Sequence, residues 1–180
     1  MKNFRHLFAC VALLATLESG ALAASQGTLG STSTGSISLS ASVPNRIQLT
    51  GLTDVAFTNQ DPSTAASNSQ NVCVWANTAT KGYNVTATGS GASGAFTLAN
   101  GATSVPYSVE WSGSSSAASG STLAAGTALT GLASTATNPT CSAGPASSAS
   151  LIVNLSATDL QSMQAATSYT GTLTLVVAPE

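Results

Sequence analysis

The chain has 180 residues, of which 43% are hydrophobic, 5% aromatic and only 6% charged, with four basic side chains against six acidic ones. That length suits one domain, and so few cations exclude recognition of a polyanion such as nucleic acid. Apolar residues at strand-like spacing among Ser, Thr, Gly, Ala and Asn predict an all-β domain with polar loops.

Lys2, Arg5 and His6 form a positive head, residues 7–17 an apolar run, and Ala21-Leu22-Ala23 a small-x-small motif. Together they predict a signal peptide over residues 1–23, cleaved after Ala23 or Ala24, and hence export. A retained anchor would need about 18 or more uninterrupted apolar residues, and Glu18, Ser19 and Gly20 interrupt this run. Cleavage removes the sole histidine, His6, together with Cys10. What is left cannot build a Ser-His-Asp triad or a histidine-ligated metal site. Cys73 and Cys141 then pair most simply with each other, because the compartments beyond the inner membrane are oxidising.

Residues 24–34 are small and polar and read as a flexible leader. Residues 35–43, GSISLSASV, alternate strictly: Ile37, Leu39, Ala41 and Val43 fall on one side and the serines on the other. Pro44 and Asn45 break the pattern, and residues 46–52 resume it. The polar run 59–70 is expected to be a loop. Further strands are expected at 72–76, 83–88, 95–99, 105–112, 150–156 and 169–178. In the strand over 105–112, Val105, Tyr107, Val109 and Trp111 share a face; in the last, Tyr169, Leu173, Leu175 and Val177 do. Residues 113–148 read as long loops carrying one or two weak strands. Thr158 and Gln161 have capping-box spacing, which predicts a short helical turn before the final strand. Around seven strands and one disulfide point to an immunoglobulin-like β-sandwich over residues 46–180, with an up-and-down barrel as the alternative.

Catalytic chemistry is weakly represented. The mature chain keeps Asp54, Asp61, Glu110, Asp159 and Glu180 as its carboxylates. Asp54 and Asp61 are nearest in sequence, but both sit in turn-forming contexts where Asp bonds the local backbone. Thr78 and Lys81 have nucleophile-x-x-Lys spacing without its accompanying motifs. Trp75, Trp111, Tyr83 and Tyr107 could offer a sugar-stacking face, yet Tyr107 and Trp111 alternate in phase with valines, as core residues do. Asn84-Val85-Thr86 and Asn154-Leu155-Ser156 are formal sequons inside expected strands. The reading is of a protein that is not an enzyme and takes no cofactor or metal.

The alternating arm is the unusual feature. An extended run of that length spans roughly 30 Å, and burying Ile37, Leu39 and Val43 is worth about 1.5–3 kcal/mol each before ordering costs. Its apolar row needs a groove, either in its own sheet or in a neighbour's.

The chain resembles the spore coat protein U family, whose members include subunits of archaic chaperone-usher pili. The resemblance is carried in order by TGSISLSASV, by Cys73 opening a stretch that continues to GYNVTATGSG, by FTLANG and SVPYSVEW, and by the terminal YTGTLTLVVAP. It covers most of residues 34–180. The chain departs from the family in having no cysteine over residues 46–52 and in ending on Pro179-Glu180. The resemblance implies a sandwich lacking its last strand, with residues 24–45 as leader and amino-terminal donor strand. Ile37, Leu39, Ala41 and Val43 of one subunit would fill a groove on the next, beside Tyr169, Leu173, Leu175 and Val177. It further implies identical or related subunits, a periplasmic chaperone and an outer-membrane usher as partners, and a surface fibre serving adhesion or biofilm formation. The competing class is a monomeric exported carbohydrate-binding or adhesion module, with residues 35–43 paired in its own sheet and Trp75 or Trp111 exposed. A third class, an exported hydrolase, would need two carboxylates converging in a cleft.

Overall fold

A computed structural model describes residues 24–180. The signal peptide expected over residues 1–23 lies outside the described residues. The chain divides into two units, Met1–Val43 and Pro44–Glu180.

Within the first unit, Ser25 and Ser36 form one isolated antiparallel bridge, exchanging backbone hydrogen bonds of 2.8 and 2.9 Å. The strand expected over 35–43 is not formed: residues 37–43 have no assigned secondary structure. An extended segment becomes a strand only when a neighbour accepts its N–H and C=O groups. Ile37, Leu39 and Val43 are 71%, 87% and 83% exposed.

The second unit is almost entirely antiparallel β-structure. Its strands are β1 (Ile47–Thr50), β2 (Ala66–Ala76), β3 (Gly82–Gly89), β4 (Thr97–Asn100), β5 (Thr103–Pro106), β6 (Ser108–Ser112), β7 (Ser121–Thr122), β8 (Ala128–Ala133) and β9 (Ala149–Leu155). A five-residue helix, α1 (Ala157–Gln161), precedes the last strand, β10 (Leu173–Pro179). One sheet runs β1-β2-β9-β6-β7, a second β10-β3-β8, and β4 and β5 form a hairpin.

The two sheets share one hydrophobic core. Val72, Val74, Val109, Trp111, Leu151, Val153 and Leu155 from the first meet Tyr83, Val85 and Ala87 from the second. Alternation explains which side chains go in: Val105, Tyr107, Val109 and Trp111 are all buried, as their shared phase requires. The strand expected over 105–112 is nevertheless divided at Tyr107, where the chain passes from pairing with β4 to pairing with β9. Trp111 sits edge-on to Tyr83 with ring centroids 6.5 Å apart, and its Nε1–H donates to the Tyr83 hydroxyl at 3.1 Å. Burial pushes the Tyr83 hydroxyl pKa up, and the Trp111 hydrogen bond opposes part of that rise.

Cys73 and Cys141 form a disulfide with Cα atoms 5.9 Å apart, 68 residues distant in sequence. Closing a loop of that length is worth roughly 4 kcal/mol on a chain-entropy estimate. Trp75 and Ala136 pack against it.

Two expectations are corrected. The loop expected over 59–70 ends early, since β2 begins at Ala66, which is buried; polar Asn68 and Gln70 conceal a strand that pairs in register with β9 from Ala66↔Leu155 to Val72↔Ala149. The helical turn is capped by Ser156, not Thr158: the Ser156 hydroxyl accepts from the Asp159 N–H at 3.1 Å.

Candidate functional site

The second unit carries an open groove of about 1280 Å³. One wall is β10, whose Leu173 and Leu175 face the groove. β10 ends its sheet, so only β3 pairs with it, in unbroken register from Leu173↔Gly89 to Pro179↔Tyr83. Its other edge is a row of backbone groups with which no described strand forms a ladder. Proteins blunt such edges by shortening, bulging or charging them. The other ends follow that rule, β1 being four residues and β7 two, while β8 pairs with β3 through a register shift. β10 has seven residues and no charge, and leaves Val176 58% exposed.

The opposite wall is residues 52–60, which carry no regular structure. β1 pairs with β2 only as far as Thr50↔Cys73. At Gly51 the backbone takes φ +84°, a conformation an L side chain rarely adopts, and the chain leaves β2. Val55 and Phe57 then lie half-buried on alternate positions while Leu52, Thr53, Asp54 and Ala56 are exposed.

The floor consists of Leu151, Val153 and Leu155 on β9, with Tyr107 and Leu98 also lining it. Leu160 of α1 and Met163 close one end. Tyr107 stacks on Phe96 at 5.7 Å, and burial pushes its hydroxyl pKa up. The rim over residues 164–172 is fastened in three places. The Tyr169 hydroxyl accepts from the Gln164 N–H at 3.1 Å, Ala99 and Thr170 exchange backbone bonds of 2.8 and 2.9 Å, and Ser90 Oγ accepts from the Thr172 N–H at 3.0 Å. Gly171 is required there, since a Cβ would meet the Thr97 carbonyl at 2.7 Å.

Of the residues expected to form the groove, Tyr169, Leu173 and Leu175 line it. Val177 packs against the core farther along β10 and is not among the lining residues. Sequence reading missed the second wall and the floor. The phase of Leu151, Val153 and Leu155 was interrupted by the apolar, buried Ile152, and nothing in the irregular run 52–60 marks it as a wall.

The carboxylates differ in their surroundings. Asp54 is the one that lines the groove. Asp61 accepts from the Ser63 N–H and hydroxyl, which hold its pKa below the usual carboxylate range. Glu110 accepts from Asn154 Nδ2 and the Gly120 N–H, Glu180 from the Gly131 N–H, and Asp159 from the Ser156 hydroxyl. Among the described residues no three His, Cys, Asp or Glu side chains cluster as metal ligands do. Lys81 Nζ donates to the Ala136 carbonyl at 3.1 Å. Asn84 and Asn154 lie within β3 and β9. Trp111 and Tyr83 are core residues and Trp75 is half-buried against the disulfide.

Compared with known proteins, the chain matches no family model and none of the curated proteins.

Proposed function

We propose that the chain is a structural subunit of an exported surface fibre of the chaperone-usher type, built by strand donation between copies. In this reading the second unit is an immunoglobulin-like sandwich lacking one strand. The observation that carries it is the groove itself: an apolar floor between a regular, uncharged edge strand and a wall with no sheet partner of its own. A strand laid there would hydrogen-bond the free edge of β10 and bury side chains on alternate positions. The chain carries a segment of that pattern, Ile37, Leu39, Ala41 and Val43, whose three large members are exposed. Export, transient completion of the groove by a periplasmic chaperone, and exchange at an outer-membrane usher for the arm of the next subunit complete the proposal. Adhesion or biofilm formation is the role such a fibre serves.

The test is size-exclusion chromatography and electron microscopy of protein made with and without a co-expressed periplasmic chaperone. Wild-type chain should form polymers; the double substitution Ile37→Asp and Leu39→Asp should give soluble chaperone-bound subunit and no fibres. Two carboxylates forced into an apolar groove cost several kcal/mol. Unfolding of the double variant even with chaperone present would point to a self-completed monomer instead.

A further inference from the structure

The wall formed by residues 52–57 poses a physical question, because a chain segment without a ladder must be held by something else. Among the described residues, no backbone-to-backbone hydrogen bond involves residues 52–57. Its fastening is a side chain. Gln70 Oε1 accepts from the Thr53 N–H at 2.8 Å and from the Thr53 hydroxyl at 3.1 Å. Gln70 Nε2 donates to the Thr53 carbonyl at 3.1 Å. One side-chain amide therefore satisfies both backbone groups of Thr53, as a partner strand would.

Gln70 occupies an unexpected place for an amide. On β2 it is in phase with Ala66, Val72 and Val74, all buried toward the core, and it lines the groove. A polar group on that face costs free energy unless it is hydrogen-bonded, and the bonds it makes are to the wall. Val55 and Phe57 on that wall are apolar and only half-buried. Phe57 already packs against the core; released, Val55 and the exposed part of Phe57 would gain by closing farther onto the leucines of the floor.

We infer that Gln70 is a positioning residue for strand capture, clamping Thr53 so that the 52–57 wall does not close farther over the floor and the groove stays open to an incoming strand. The inference rests on the strand-donation reading above. It adds a determinant that acts on the acceptor side, remote from the arm.

Two measurements separate the inference from that reading. Hydrogen exchange is followed on exported Ile37→Asp/Leu39→Asp protein, with and without Gln70→Leu. Polymer growth is followed by light scattering on chains with an intact arm, again with and without Gln70→Leu. Exchange should accelerate about tenfold or more at the Thr53 N–H, while β2, β3 and β9 keep their protection. Polymer growth should slow by a similar factor. Gln70→Glu, which keeps the acceptor oxygens and loses the Nε2 donor, should fall between, and it serves in place of Gln70→Leu if that variant does not fold. Unchanged exchange at the Thr53 N–H would overturn the clamp, and faster exchange there with unchanged growth would overturn its role in capture. Acceleration spread evenly over the domain would reduce Gln70 to an ordinary stability residue and overturn the inference as well. If chains with an intact arm and Gln70 fail to polymerise, the strand-donation reading falls, and with it the role in capture, whatever exchange reports at Thr53.

Discussion

Ser, Asn and Gln side chains finish hydrogen bonding where β-ladders stop. β2 pairs with β9 only to Val72↔Ala149; beyond it the Val74 N–H donates to Ser148 Oγ at 2.9 Å, and the Ser148 and Ser134 hydroxyls donate to the Val74 carbonyl. Asn77 does the same at the start of β1, accepting from the Arg46 N–H and donating to the Pro44 carbonyl. Ser148→Ala should therefore leave a buried N–H unsatisfied and lower stability by about 1–3 kcal/mol in urea unfolding. At Tyr83 the raised pKa has a definite sign. The unfolded tyrosine ionises near pH 10 while the buried one stays neutral, so the unfolded state binds fewer protons there and stability falls as pH rises above that point. Tyr83→Phe should flatten this alkaline decline in melting temperature while costing stability at pH 7, where Trp111 Nε1–H loses its acceptor. Replacing both Cys73 and Cys141 by Ala should cost about 2–5 kcal/mol, read the same way.

At the scale of elements, the edge strand and the wall facing it differ in how far sequence reveals them. Alternation in LTLVVAP marked β10, because a period-two pattern reports which side is buried; the floor stayed hidden because β9 is buried on both faces and Ile152 interrupts the alternation of Leu151, Val153 and Leu155. The wall was illegible for a physical reason: it is held by a side-chain amide and by a turn at Gly51, neither of which leaves a periodic trace. β2 was half hidden because Asn68 and Gln70 occupy positions where pattern reading looks for apolar residues. The arm illustrates the converse, since its pattern is the cleanest in the chain and yet residues 37–43 form no strand. A period-two pattern states which partner a segment suits and leaves open whether that partner is present. Gly51→Val should strain the turn and cost about 1–2 kcal/mol at the positive φ, measured by thermal unfolding, with exchange rising first at the Thr53 N–H.

At the scale of the molecule, the composition fits a protein that presents hydroxyls and amides to solvent and carries few charges. An open groove and a long uncharged edge make a hazard for a monomer, because they invite non-specific pairing. For a subunit that receives a strand they are the binding site. The central claim is that the occupant is the arm of another copy, and cysteine cross-linking between two separately made proteins tests it most directly. One carries Cys at position 37, 39, 41 or 43 and the other Cys at 173 or 175; they are mixed, allowed to assemble and oxidised. A disulfide-linked species containing one copy of each is the predicted result, with a single register dominating. Cross-links that form only within one chain when both cysteines are placed on it, and never between mixed copies, would contradict the account.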